Sequence, residues 1–181
     1  MDHPSDTGRI DGLSIAYVGG GSRSWARTLM LDLASEGQLS GRVRLYDIDF
    51  AAAAENAQMG NRLTARPDVK GKWRYEAVET LGEALRGADF VVLSILPGTF
   101  EEMASDVHAP ESVGVYQSVG DTVGPGGILR ALRTIPMYLG FAEGIRQHCP
   151  DAWVINYTNP MTVCTRALYE AYRQAEAEDK A

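Results

Sequence analysis

Short apolar runs alternate with longer segments of helical spacing along most of this chain. Nearly continuous apolar runs flanked by turn residues are typical of buried strands, and they predict strands over residues 13–18, 42–46, 73–78, 90–95 and 152–157. Apolar residues at every third or fourth position predict helices over 25–36, 51–64, 80–86, 128–147 and 160–172. This alternation predicts an α/β fold with a doubly wound, mostly parallel sheet and helices on both faces.

The first predicted strand runs directly into three glycines, residues 19–21, and a helix follows at once. Strand, glycine turn and helix hold a dinucleotide in Rossmann-like folds, because glycines permit the tight turn and let the backbone approach a pyrophosphate. Gly19 and Gly21 take the first two positions of the fingerprint, while Ser24 takes the third and is the expected N-cap. Glycine turns after strands also arise for steric reasons alone. The position of this turn, directly after the first predicted strand, favours nucleotide binding over that alternative.

An acidic residue, Asp47, ends the second predicted strand. In Rossmann-like folds a carboxylate at this place accepts hydrogen bonds from the adenosine ribose. The alternative is that Asp47, or Asp49 after it, caps the next helix. Both can hold, since Asp49 is better placed to cap helix 51–64 and leaves Asp47 for the ribose.

The connections after the fourth and fifth strands are further candidates for ligand contact. Residues 96–127 form a long connection whose second half is dense in Gly, Pro, Thr and Ser. Loops at the carboxyl ends of strands are where such folds bind ligands. Asn156 and Asn159 end the fifth strand and suit hydroxyl recognition, although Asn159 is equally suited to cap helix 160–172.

Composition excludes several function classes. A net charge of −7 without a basic run argues against nucleic acid as a partner, and no apolar run approaches the ~20 residues that span a membrane. The two cysteines provide neither a disulfide framework nor metal-finger spacing, which suits a reducing cytoplasm. We expect a disordered leader over 1–12, a single dinucleotide-binding domain over 13–172 and a solvated, fraying helical tail over 173–181.

Four motifs, in this order and spacing, resemble glycoside hydrolase family 4. They are Gly-Gly-Gly-Ser at 19–22, Asp-Thr-Val-Gly-Pro-Gly-Gly-Ile at 121–128, Ala-Leu-Arg-Thr-Ile-Pro at 131–136 and Asn-Tyr-Thr-Asn-Pro-Met at 156–161. Their forms are most similar to the branch acting on unphosphorylated sugars, which includes α-galactosidases, α-glucosidases and uronic-acid glycosidases. The resemblance implies NAD and a divalent metal, usually manganese, as cofactors. It also implies oxidation of the sugar at C3, elimination of the glycosidic bond, water addition and re-reduction.

The resemblance also assigns binding roles within these motifs, with NAD and a glycoside substrate as the implied partners. Gly19, Gly21 and Ser22 would hold the pyrophosphate, and Asp47 the ribose. In the two connections, Pro97 and Gly98 would line the cofactor, Asn156 would lie near the nicotinamide, and Asp121 with Asn159 would meet sugar hydroxyls.

The chain departs from the family pattern after the Asn-Pro-Met motif. There the family has a Cys-His pair whose cysteine binds the metal, then a second metal-binding histidine, a tyrosine base and a sugar-binding second half. Cys164 suits a buried core thiol and, like the three histidines, matches no ligand position. The sequence therefore offers no catalytic residue and no metal ligand of the family, and we expect an N-terminal NAD-binding part that is inactive alone.

Two alternatives stay open at this point. One is an NAD-binding module or half-enzyme that needs a partner chain. The other is a relative of NAD-dependent 2-hydroxy-acid dehydrogenases, although no convincing set of a catalytic histidine and substrate-binding arginines is present. In strand order 3-2-1-4-5-6 the sixth position would stay unfilled. Strand 152–157 would then be an exposed edge, and with the apolar face of helix 128–147 (Ile128, Leu129, Leu132, Ile135 and Leu139) it predicts a homo-oligomer.

Overall fold

The computed structural model describes residues 8–119 and 121–178. Its strands are β1 (Ile10–Val18), β2 (Leu39–Tyr46), β3 (Lys72–Val78), β4 (Phe90–Leu93) and β5 (Trp153–Asn156). Its α-helices are α1 (Trp25–Ser35), α2 (Phe50–Thr64), α3 (Leu81–Leu85), α4 (Phe100–His108), α5 (Gly124–His148) and α6 (Met161–Glu178), and a 3₁₀ turn over Ala109–Val113 follows α4. Within these ranges no helix is long and apolar enough to cross a membrane.

The strands form one sheet in the order β3-β2-β1-β4-β5. β1 pairs in parallel with β2 and β4, and β2 pairs in parallel with β3. Val18, the last residue of β1, lies opposite Tyr46 of β2 and Leu93 of β4. The carboxyl ends of three neighbouring strands therefore meet at one end of the sheet, where open α/β sheets bind ligands. The prediction of a doubly wound, Rossmann-like sheet is confirmed.

β1 begins earlier than the sequence pattern predicts. The predicted leader over 1–12 is wrong for its last residues, because strand structure starts at Ile10, whose amide donates to the Gln38 carbonyl at 2.8 Å. Asp11 accepts a hydrogen bond from the Ser40 hydroxyl, and Gly12 has a φ of +78° at an irregularity in the pairing with β2. Polar contacts and not apolar burial hold this extension, so the hydrophobic pattern could not show it. Residues 1–7 of the predicted leader lie outside the described residues.

α1 and α2 cover a core on one face of the sheet. The buried cluster consists of Ile15, Tyr17, Val43, Leu45, Trp73, Tyr75 and Val92 from the strands, and Ala26, Met30, Leu33, Ala53 and Ala57 from the two helices. α2 can approach β3 closely because residue 60 is glycine, where a Cβ would lie 2.6 Å from the Tyr75 ring. This packing sets the first turns of α1 and α2 at the carboxyl end of the parallel strands.

The opposite face of β2 contains a buried arginine, since side chains alternate along a strand. Arg44 is 7% exposed. Its guanidinium donates to the carbonyls of Glu83 (2.7 Å) and Arg86 (2.6 Å) and to the Ser14 hydroxyl (2.8 Å). Burial lowers the pKa of Arg44, and the three acceptors compensate for its lost hydration. Arg44 therefore connects the end of α3 to the sheet.

The chain divides into two compact units. The first contains residues 8–95 and His148–Ile155, and the second contains Leu96–Gln147, with Gly120 not described, and residues 156–178. The single domain over 13–172 stays a prediction. Most of the tail predicted over 173–181 is helical, as α6 continues to Glu178, and residues 179–181 lie outside the described residues.

Candidate functional site

The glycine turn after β1 is held by the backbone of two neighbouring strands. The amides of Gly19 and Gly20 both donate to the Tyr46 carbonyl at 2.9 Å, and the Ser22 amide donates to the Gly19 carbonyl at 3.1 Å. Gly19 has a φ of +96°, and a Cβ there would lie 1.9 Å from the Ser94 carbonyl oxygen. Glycine is therefore required at position 19 for both conformation and space.

Asp47 holds the same turn through its carboxylate. Its Oδ2 accepts from the Gly21 amide at 2.8 Å and its Oδ1 from the Asp49 amide at 3.0 Å. A Cβ at Gly21 would lie 2.9 Å from Asp47 Oδ2 and 2.9 Å from the Ala52 methyl group. Each carboxylate oxygen can accept more than one hydrogen bond, so Asp47 can also accept from hydroxyl groups. Ribose binding by Asp47 stays a prediction.

The helix caps beside the turn differ in how well the sequence predicts them. Asp49 is the N-cap of α2, as predicted, and accepts from the Ala52 amide at 3.1 Å. Ser24 takes the N-cap position of α1 but makes no side-chain cap hydrogen bond, because its backbone is already near-helical (φ −105°, ψ −74°). Ser22 caps α1 instead, and its hydroxyl accepts from the Trp25 amide at 3.0 Å.

Asn56 is a turn contact that the sequence reasoning missed. It lies inside α2, fully buried, and its amide group donates to the carbonyls of Gly20 (2.8 Å) and Ser22 (3.0 Å). Its Oδ1 accepts from the Arg27 Nε at 2.9 Å. A polar residue in an Ala-rich helix gives a weak sequence signal, since most such residues face solvent.

The turn leaves two amides without a partner in the part of the chain that the structure describes. The amides of residues 19–22 and Trp25 are all bound within the protein, whereas those of Arg23 and Ser24 are not. Backbone N–H groups before a helix are suited to anions. Pyrophosphate binding by Gly19, Gly21 and Ser22 stays a prediction, and the structure adds Arg23 and Ser24 as the available amide donors.

In the second unit, Gly98 precedes a capped helix. Gly98 has a φ of +93°, and a Cβ there would lie 2.5 Å from Glu102 Oε2. The Thr99 amide donates to Glu102 Oε2 at 2.6 Å, and the Glu102 amide to Thr99 Oγ1 at 3.2 Å, which forms a capping box at the start of α4. Pro97 is buried beside it. Cofactor contact by Pro97 and Gly98 stays a prediction.

Asp121 and Asn159, the two predicted sugar-binding residues, lie together within the second unit. The Asn159 side-chain amide donates to Asp121 Oδ2 at 3.3 Å, and the Thr122 hydroxyl donates to Asp121 Oδ1 at 3.0 Å. The buried Arg130 donates through Nε to the Asn159 carbonyl at 3.3 Å. A carboxylate next to an amide can accept from and donate to sugar hydroxyls, and this role stays a prediction.

Asn156 uses its side chain inside the second unit. Its Oδ1 accepts from the Tyr138 hydroxyl at 2.5 Å and the Thr158 amide at 3.0 Å. Its amide group donates to the carbonyls of Thr158 and Met161 and to the Thr165 hydroxyl at 3.3–3.4 Å. The side chain therefore organises the segment between β5 and α6, and its predicted place near the nicotinamide stays a prediction.

Both cysteines are free and buried, as the sequence predicts for Cys164. Cys164 is fully buried, and burial raises its pKa to about 11; burial also raises the pKa of Cys149. Over residues 8–119 and 121–178, no three His, Cys, Asp or Glu side chains are grouped so that they could hold a metal ion.

We expect stability to fall at alkaline pH because of these buried groups. A thiol with a raised folded-state pKa keeps its proton longer when folded, so its contribution is full below pH 9 and is lost as pH rises towards about 11. The buried hydroxyls of Tyr75 and Tyr138, whose pKa values burial also raises, act in the same direction. Urea unfolding measures the free energy of unfolding at pH 8 and at about pH 10.5. Between these two pH values it should fall less for Cys164→Ala than for wild type. Equal losses would contradict this role of Cys164.

Comparison with known proteins gives consistent matches. A family model described as "Family 4 glycosyl hydrolase" matches residues 14–177. An α-galacturonidase of Thermoanaerobacterium saccharolyticum is 66% identical over 170 residues, covering 94% of this chain and 37% of the relative. The crystal structure of Bacillus subtilis lplD is similar with a TM-score of 0.84 and 54% identity, covering 91% of this chain and 37% of that chain.

A 6-phospho-β-glucosidase of Thermotoga maritima, solved with NAD and glucose-6-phosphate, is also similar. It has a TM-score of 0.68 and 26% identity, covering 82% of this chain and 34% of that chain. The chain thus spans little more than a third of the length of the relatives that it matches.

Proposed function

Because the chain belongs to family 4 of the glycosyl hydrolases, we propose that it is the NAD-binding part of an enzyme that cleaves unphosphorylated α-galacturonides. NAD is proposed as the cofactor because the glycine turn is hydrogen-bonded to the Asp47 carboxylate at the carboxyl end of the sheet. The 66% identical relative, an α-galacturonidase, supports a uronide substrate. No observation favours a 2-hydroxy-acid dehydrogenase over this proposal.

The residues of the turn fit NAD. A Cβ at Gly19 would meet the Ser94 carbonyl and one at Gly21 would meet Asp47, so the turn requires the glycines of the dinucleotide fingerprint. The Asp47 carboxylate keeps acceptor capacity for the two ribose hydroxyls and would repel a phosphate placed there. When bound, NAD supplies a reversible acceptor for a hydride from the sugar.

Unlike NAD, the metal has no fitting site among the described residues. They offer no group of ligands for manganese, so we derive no metal-assisted step from them. We propose the sequence of oxidation, elimination, water addition and re-reduction for an enzyme of the relatives' full length. Within the 181-residue chain we assign Asp121 and Asn159 to sugar hydroxyls and no residue to the chemical steps.

The exposed face of α5 supports association with another chain. The predicted apolar face of this helix is largely exposed, with Ile128 at 63%, Leu132 at 65% and Leu139 at 45%. α5 instead buries Arg130, Ala131, Thr134, Tyr138, Phe141 and Ile145. Apolar side chains at i, i+4 and i+11 lie on one helix face, and such a face is suited to protein contact. We propose either a homo-oligomer or a partner chain that supplies the rest of the enzyme.

The isolated chain should bind NAD without cleaving glycosides. With NAD, manganese and a reductant, release of nitrophenol from para-nitrophenyl α-galacturonide should stay at background, because the described residues group no metal ligands. NAD binding would be followed through the fluorescence of Trp25, which follows the turn and is 58% exposed. Metal-dependent hydrolysis by the purified chain would refute its inactivity, and a lack of any NAD response would refute the cofactor assignment.

A further inference from the structure

Arg27 and Asn56 connect α1, α2 and the glycine turn through one set of hydrogen bonds. Asn56 is fully buried and makes three side-chain hydrogen bonds, two to turn carbonyls and one from Arg27 Nε. Arg27 is half-buried, and among the described residues no carboxylate lies within ion-pair distance of it. A guanidinium has five N–H donors, so Arg27 retains four after this bond.

Asn56 also determines which way the peptide groups of the turn face. It draws the carbonyls of Gly20 and Ser22 towards α2. In a trans peptide the N–H lies opposite the C=O, so the amides of Gly21 and Arg23 face away from Asn56. The first is bound by Asp47, and the second is unpartnered in the described chain. One buried side chain therefore sets the direction of the available amide and the position of the guanidinium.

We propose that Arg27 binds the diphosphate of the dinucleotide and that Asn56 is the residue that positions Arg27 and the turn for it. This proposal rests on the NAD binding proposed above. Arginine suits the task because its planar fork matches phosphate oxygens in a bidentate manner, and the bond through Nε leaves the N–H groups of the two terminal nitrogens as donors. Arg27 thereby supplies a positive charge beside the turn, where most of the backbone amides are already hydrogen-bonded within the protein.

The test compares ligands that differ in phosphate. ADP-ribose retains the diphosphate and adenosine lacks it, and NMR titration of the whole chain gives the affinity for each. Arg27→Gln should lower the affinity for ADP-ribose about tenfold and change the affinity for adenosine by less than about twofold. It should also make ADP-ribose binding less dependent on salt concentration. Arg62→Gln removes the same charge from an exposed site at the end of α2 and should change neither affinity.

The positioning role of Asn56 is tested by coupling. Asn56→Ser should weaken ADP-ribose binding. In the Asn56→Ser background, Arg27→Gln should lower the ADP-ribose affinity by a smaller factor than it does in wild type. If Asn56→Ser does not fold, Arg27→Lys provides the second test: it keeps the charge but loses the planar Nε contact, so its ADP-ribose affinity should lie between those of wild type and Arg27→Gln.

Equal weakening of adenosine and ADP-ribose by Arg27→Gln, or an unchanged affinity for both, would overturn the proposal while leaving NAD binding intact. Wild type that binds neither NAD nor ADP-ribose would overturn the proposed function together with it.

Discussion

Replacing Gly21 with valine is expected to weaken NAD binding by at least about tenfold, or about 1.4 kcal/mol. A side chain at this position meets Asp47 Oδ2 and the Ala52 methyl group, each 2.9 Å from the Cβ position. The Asp47 carboxylate would have to leave the Gly21 amide, which would disturb both the turn proposed for the diphosphate and the carboxylate proposed for the ribose. Calorimetric titration with NAD measures the effect.

Gly140→Val is the matched control, since a Cβ at Gly140 has no atom within 4 Å. It should bind NAD like wild type. Circular dichroism of both variants separates a local change at the turn from loss of the fold. An unchanged NAD affinity for a folded Gly21→Val chain would show that the turn does not face the cofactor.

Replacing Arg44 with methionine should lower the free energy of unfolding by about 2–4 kcal/mol. Methionine fills a similar volume but leaves the carbonyls of Glu83 and Arg86 without this donor and removes the shorter of the two hydrogen bonds that the Ser14 hydroxyl accepts. Unpaired buried acceptors cost more than the net gain from a made hydrogen bond, so the loss exceeds that of an exposed ion pair. Urea or thermal unfolding at neutral pH measures it.

Arg42→Met is the control on the same strand. Arg42 is exposed and donates to the Ser14 hydroxyl through Nε at the longer distance of 3.2 Å, so its loss should cost less than about 1 kcal/mol. Equal destabilisation by the two variants would indicate that charge, and not burial with three acceptors, determines the role of Arg44.

Local sequence signals predicted the features that depend on neighbouring residues. The glycine turn after the first strand and the Asp49 cap each follow from residues a few positions apart, and the structure contains both. The strand order follows from the connection rules of doubly wound sheets.

Local sequence signals could not predict the features that depend on residues far apart in the chain. Asn56 contacts the turn across 34 to 36 residues, and nothing in its helix marks it as buried. The apolar face predicted for α5 is largely exposed because α5 instead buries the side that carries Arg130, Thr134 and Tyr138, which sequence periodicity ranks as polar. Ser24 takes the predicted N-cap position, but the hydroxyl that accepts from the first helical amide is that of Ser22, since the backbone of the turn decides which hydroxyl faces the helix.

Calorimetric titration of the whole chain with NAD and, separately, with NADP decides whether this chain is a dinucleotide-binding unit with Asp47 at the ribose. We predict single-site binding of NAD and at least about tenfold weaker binding of NADP, because an Asp47 carboxylate that accepts from the ribose hydroxyls, as proposed, would repel a 2′-phosphate. No heat with about 1 mM NAD, or equal affinity for the two dinucleotides, would contradict it.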